Sequence, residues 1–251
     1  MEVIAVANNK GGSGKTTTAV NLAADLALLG KRTLLIDMDP QAAATSGVGI
    51  DEWTLDKTIY DALKNLSLQE DIIPTTIEGL YIAPANLYLS VAEVELASQL
   101  GRELILGKKV RKLNGYDYAI IDTPPYFGIL TMNALVACST LLVPIQAEYY
   151  AMRGMTQLLQ VVDMVEERME VSIKRRYLLT MYDSRTKLSR DVVEQVREHL
   201  KDAVFKTVIP RNVRLAESPS SGKPIGLYDP DSAGAIAYKQ LAEEVIEWLE
   251  A

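Results

Sequence analysis

Two lysines stand five residues apart in the run Lys10-Gly11-Gly12-Ser13-Gly14-Lys15-Thr16-Thr17. Gly11, Gly12 and Gly14 carry no side chain to keep a ligand off the backbone, so N–H groups can close on an anion. A helix starting at about Lys15 adds the positive end of its dipole. That chemistry suits the phosphates of a nucleoside triphosphate, with Lys15 reaching the β- and γ-phosphates and the Thr16 hydroxyl ligating Mg²⁺. The run departs from the usual phosphate loop in two ways. Asn9 stands where the first glycine belongs, and Lys10 is an additional cation at the start of the loop.

Three carboxylates follow where such a loop needs them. Asp37 and Asp39 close the apolar run Arg32 to Asp39, and Pro40 stops it. Asp122 closes a second run, Tyr116 to Asp122, ahead of Thr123-Pro124-Pro125. Asp37 and Asp122 are expected to hold waters of a Mg²⁺ shell, since Mg²⁺ usually keeps several. The plainer alternative is that one of the three acids only caps the segment after it. That alternative is weakest for Asp39, held stiffly beside Pro40.

The elements that must carry these residues alternate along the chain. Val3 to Ala7 reads as a strand and Lys15 to Leu29 as a helix; a second strand ends at Asp39. Helical patterns follow at Leu55 to Leu63 and Ser90 to Leu106, with a strand between them at Leu80 to Ala83. After the strand ending at Asp122 come helices near Leu130 to Cys138, Met155 to Arg168, Arg190 to Leu200 and Ser232 to Leu249. Strands at Thr140 to Ile145, Arg176 to Met181 and Val204 to Ile209 separate them. This alternation predicts an α/β fold, one doubly wound, mostly parallel sheet with helices on both faces. No linker divides the chain, so residues 1–251 are read as a single P-loop ATPase domain. Gln41 to Thr54 reads as irregular, and Leu215 to Pro230, rich in Ser, Gly and Pro, as a surface loop.

Lys10 to Thr17 resembles the deviant Walker A box of the ParA/MinD ATPases. Leu34 to Gln41 is similar to their second acidic box, and Ile120 to Pro125 to their Walker B region. Pro144 to Tyr150 and Ile209 to Glu217 resemble stretches of the chromosomal ParA (Soj) branch. The likeness runs from Val3 to the last helix. It implies that Lys10, otherwise an ordinary loop lysine, is the signature lysine that crosses a homodimer interface to the other subunit's phosphates. It implies that Asp39 orients the attacking water and that Pro210 and Asn212 contact adenine, although Pro-x-Asn is equally turn chemistry. It further implies ATP and Mg²⁺ as cofactors, non-specific double-stranded DNA as a partner, and a ParB-type centromere-binding protein that stimulates a weak ATPase.

Composition bounds these expectations. The net charge is −7, yet Ser172 to Gly226 holds 12 Lys/Arg against 6 Asp/Glu, so a basic face coexists with an acidic remainder. Arg185, Lys187, Arg190, Arg211, Arg214 and Lys223 are the candidate DNA contacts, to phosphates and blind to sequence. A solvated charged surface is the plainer reading. Cys138, the only cysteine, reads as a buried small hydrophobe and His199, the only histidine, as an exposed helix residue. One cysteine leaves even a dimer short of the four thiolates of a usual iron–sulfur cluster. Tyr149 and Tyr150 are read as subunit-interface or core residues. Without a membrane span or a signal peptide the chain is expected in the cytoplasm, associated with the nucleoid. A MinD-type membrane-cycling ATPase is the alternative and needs a basic amphipathic last helix. Here Ile236, Leu241, Val245, Trp248 and Leu249 read as a stripe docking on the sheet, among four glutamates and Lys239. A positioning ATPase for another cargo shares every motif.

Overall fold

Strands of near-continuous Val, Ile and Leu, with no polar alternation, can only be stable when covered on both faces. The computed structural model describes residues 1–64, 67–148 and 151–250, so Tyr149 and Tyr150 lie outside the described residues. The strands are β1 (Glu2–Val6), β2 (Thr33–Asp37), β3 (Ile73–Pro74), β4 (Leu80–Ala83), β5 (Tyr118–Asp122), β6 (Thr140–Gln146), β7 (Lys174–Tyr182) and β8 (Val204–Pro210). They form one sheet in the order β3-β4-β2-β5-β1-β6-β7-β8. All neighbours are parallel except β3, which runs antiparallel at the edge.

Alternate residues of each strand feed two separate cores. Val3, Ala5, Leu34, Ile36, Ala119, Ile121, Leu141 and Val143 point to one face. There they meet α3 (Ile59–Lys64), α4 (Leu89–Leu96), α5 (Ile105–Val110), α6 (Ile129–Ala137), α7 (Ala151–Met169) and α8 (Lys187–Leu200). Ile4, Val6, Leu35, Ile120 and Leu178 point to the other. They pack on α1 (Lys15–Leu28) and α11 (Ala233–Glu250), with α2 (Ala43–Gly47), α9 (Val213–Glu217) and α10 (Ile225–Tyr228) at the margin. The order reverses around β1, flanked by β5 and β6, and the crevice beyond such strand ends is where open α/β sheets bind ligands.

Several expected boundaries move. The helix expected over Ser90 to Leu106 is two helices, because the chain turns at Gly101 with φ +68°, and Leu100 just before it is fully exposed. The Leu55 to Leu63 helix begins only at Ile59, and β2 stops at Asp37, leaving Asp39 on the loop. Leu215 to Pro230 is not a plain surface loop. It holds α9's end, a 3₁₀ turn and α10, and Leu215, Ser218 and Ile225 are buried. Asn21 of α1 explains part of this, since its Oδ1 accepts the Ile225 N–H at 2.7 Å. In α11, Leu241 and Val245 are buried as expected, but Ile236 is exposed. Cys138 is buried, and His199 is exposed with Nδ1 2.8 Å from the Gln195 carbonyl.

Candidate nucleotide site

The ends of β1, β5 and β2 lie level, with Val6 beside Asp122 and Asp122 beside Asp37 in register. The loop that leaves β1 is held from the opposite side by the ends of β6 and β7. Gln146 Nε2 donates to the Gly12 carbonyl at 2.6 Å, and Thr180 Oγ1 to the Ser13 carbonyl at 3.0 Å. The Gly12 and Ser13 carbonyls are thereby turned to β6 and β7, an arrangement that suits a loop presenting N–H groups to an anion. Gly12 (φ +70°) and Gly14 (φ +90°) adopt the left-handed conformation, and Gly14 delivers the chain into α1. Asn9, in the place of the first glycine, donates from Nδ2 to Gln157 Oε1 at 2.9 Å and so ties the loop to α7.

The two lysines differ sharply. Lys15 is buried, its Nζ donates to the Lys10 carbonyl at 3.3 Å, and burial lowers its pKa against the opposing pull of Asp122 and then Asp39. Lys10 turns outward, its side chain 38% exposed, and its ammonium pairs with Glu148 at 3.1 Å.

Each carboxylate has its own surroundings. Asp37 Oδ2 accepts from the Thr45 N–H at 2.8 Å and the Thr45 hydroxyl at 2.7 Å, and Oδ1 from the Asp39 N–H at 3.1 Å. Complete burial still pushes its pKa up to about 6. Asp39 Oδ1 accepts from the Gln41 N–H at 2.9 Å. Asp122 is wholly buried with both oxygens lacking a well-formed hydrogen bond. Burial first and the Asp37 charge second raise its pKa well above the carboxylate range, and the Thr16 hydroxyl beside it gives only weak relief. A buried, unpartnered carboxylate beside a second acid and a hydroxyl fits a hydrated divalent cation. Thr16, Asp37 and Asp122 are the residues that would hold Mg²⁺.

A cleft of about 370 Å³ runs from Gly14 and Thr17 past Thr180 and Met181 to Pro210, Arg211 and Asn212. Its mainly apolar walls and its position against the phosphate loop suit a nucleobase. Asn212 also starts α9, its Oδ1 accepting the Arg214 N–H at 2.7 Å. Turn and cleft wall are therefore the same residue.

The basic candidates divide into two groups. Arg185, Lys187 and Arg190 lie on the connection from β7 into α8, and Arg211 and Arg214 on the adjoining one from β8 into α9, bridged by the Arg211 N–H on the Tyr182 carbonyl. All five are exposed. Arg185 pairs with Asp183 at 2.7 Å and Arg214 with Glu217 and Asp229 at 2.9 and 3.2 Å. Exposed Lys223 stands apart, in a small cleft with Thr16, Thr17 and Asn21. Sequence reasoning assigned no role to Gln146, Thr180, Thr45 or Asn21. The signal available was a polar residue at the C-terminal end of an apolar strand, or in a helix core.

Residues 1–175 match the model of a family described as AAA domain. The chain is 49% identical to the sporulation initiation inhibitor protein Soj of Bacillus subtilis, over 97% of this chain and 98% of that one. The chain belongs to the ParA/MinD family. The chromosome partitioning protein ParA of Myxococcus xanthus is 48% identical, over 98% of this chain and 88% of its own. A crystal structure described as cobyrinic acid a,c-diamide synthase from Mycobacterium smegmatis, with bound ATP analogue and magnesium, superposes with a TM-score of 0.85. It is 36% identical and covers 99% of this chain and 96% of that one. Among the described residues no helix is long and apolar enough to cross a membrane. The eight-stranded sheet with helices on both faces is thus a ParA/MinD sheet.

Proposed function

We propose that this chain is a partition ATPase of the ParA type. ATP joins two copies face to face, and the pair holds double-stranded DNA without reading its sequence. A ParB-type centromere-binding protein then triggers hydrolysis and release. The observation that carries this reading is the division between the two lysines. Lys15 is buried against Asp122 and Asp39, whereas Lys10 stands at the surface with its ammonium on Glu148. A cation so placed serves a phosphate arriving from outside, which is what a second copy's nucleotide brings.

In each site the loop N–H groups and Lys15 bind the β- and γ-phosphates, and Thr16, with Asp37 and Asp122, holds Mg²⁺ and its waters. Bound there, Mg²⁺ neutralises the charge that spreads over the transferring phosphoryl group. Asp39 orients the attacking water, the other copy's Lys10 stabilises the transition state, and Pro210 and Asn212 hold the adenine. Arg185, Lys187, Arg190, Arg211 and Arg214 give the pair a basic surface for phosphates, which places it on the nucleoid within the cytoplasm. The membrane-cycling alternative finds less support, because Leu241 and Val245 are buried and four glutamates line the last helix.

The test is DNA retention with Mg²⁺ and either ATP or ADP across a salt series. Retention with ATP that weakens steeply with salt, absence of retention with ADP, and prolonged retention of Asp39→Ala are expected. Equal retention with both nucleotides overturns the reading.

A further inference from the structure

Helix α4 is apolar on both of its sides. Leu89, Ala92 and Leu96 are buried in the core under the sheet. Leu87, Tyr88, Val91 and Val94 form a second stripe facing solvent, with Tyr88 68% and Val94 77% exposed. The spacing is helical throughout, because the chain already turns at Asn86, whose carbonyl accepts the Leu89 N–H at 3.0 Å. One apolar face docks α4 on the core, and a second apolar stripe left in water marks a contact surface.

Position and charge together say what covers it. α4 follows the C-terminal end of β4, beside β2 and the acids of the nucleotide site. Glu93 straps it to the segment after Asp122, accepting from the Tyr126 hydroxyl at 3.1 Å and packing against Gly128. Tyr126 in turn feels the charge of Asp39. The stripe therefore borders the end of the sheet from which Lys10 projects. The flanking acids are occupied, Glu93 by Tyr126 and Glu95 by Tyr60 and Lys64. An uncharged stripe with its acids tied off is poorly matched to a basic partner arm. An uncharged apolar stripe can instead meet its own copy across a twofold axis, as an isologous contact requires.

We infer that the α4 stripe is the apolar contact by which two copies of this chain adhere in the ATP-bound state. The inference rests on the face-to-face pair proposed above and names the surface that stabilises it. The nucleotide supplies the charge match across the site, and Leu87, Tyr88, Val91 and Val94 exclude water beside it. Through Glu93 and Tyr126 the stripe is mechanically joined to the segment that follows Asp122.

The test compares wild type with a Val91→Asp/Val94→Asp variant by sedimentation velocity, in Mg²⁺ and an uncleavable ATP analogue, while a fluorescent ATP analogue reports nucleotide affinity. The wild type is expected to pair, and the variant to bind nucleotide normally yet pair about tenfold more weakly or worse. A Val94→Cys chain treated with a short bismaleimide gives a second readout independent of the charged variant. Native Cys138 stays silent, because it is buried and its thiol pKa is pushed up to about 12. Cross-linking with the ATP analogue but not with ADP is expected. A charged variant that pairs as tightly as wild type, or a Val94→Cys chain that does not cross-link while it pairs, overturns the inference and leaves the proposed function standing. Wild type that stays a single chain with nucleotide bound overturns both.

Discussion

Burial separates the two lysines of the glycine loop, Lys15 inside and Lys10 at the surface. The carboxylates are all buried and differ instead in their hydrogen-bond partners, three donors for Asp37 and none well formed for Asp122. Asp37 and Asp122 are wholly buried, and burial raises the pKa of each, Asp37 to about 6 and Asp122 well above the carboxylate range, so Mg²⁺ bound beside them would favour their ionised forms. Asp25 on α1 is a buried acid remote from that chemistry. Its Oδ2 has no partner, and burial, with Lys239 opposing, raises its pKa to about 7. Because the folded pKa lies above the unfolded value of 3.8, ionising Asp25 costs stability. The cost is absent below about pH 4, grows between pH 4 and 7, and is complete above 7. Asp25→Asn is expected to stabilise the chain by about 2–4 kcal/mol at pH 8 and hardly at all at pH 4. Urea titrations at the two pH values check this; an equal effect at both would show that the charge is not the cause.

Helices and strands act here through their ends. Gly14 turns the chain into α1, and the C-terminal ends of β2 and β5 present Asp37 and Asp122 level with each other. A less obvious joint lies where Gly49, after α2, meets Gly222. An added Cβ on Gly49, itself at φ +83°, would stand 2.9 Å from the Gly222 carbonyl oxygen. Gly49→Ala is expected to lower stability by about 1–3 kcal/mol, measurable by urea denaturation. An unchanged midpoint would mean that the two segments part freely. The glycine turn into α1 and most strands were legible in the sequence because glycine spacing and unbroken apolar runs are local signals. The short helices around Leu215 and Ile225 were not. Their order comes from contacts across the chain, such as Asn21 on Ile225, which composition does not carry. The same holds for Gln146 and Thr180, whose bonds to the loop depend on β6 and β7 lying side by side. The break at Gly101 was visible as a glycine but was outweighed by the apolar periodicity around it.

In the molecule as a whole, both edges of the sheet are capped. Glu244 of α11 accepts the N–H groups of Lys206 and Thr207 on β8 at 2.7 and 3.0 Å, and Arg197 donates to the Lys206 carbonyl at 2.9 Å. At the opposite edge β3 is only two residues long and ends in Pro74. Neither edge invites strand addition, which leaves the proposed pairing to the end that carries Lys10 and the α4 stripe. The proposed mechanism stands on nucleotide-dependent pairing in which each copy lends Lys10 to the other. Sedimentation velocity of wild type and Lys10→Ala, each saturated with uncleavable ATP analogue and Mg²⁺, tests it most directly. Wild type should sediment as two chains and Lys10→Ala, with nucleotide still bound, as one. A single chain for wild type, or equal pairing by both, would contradict it.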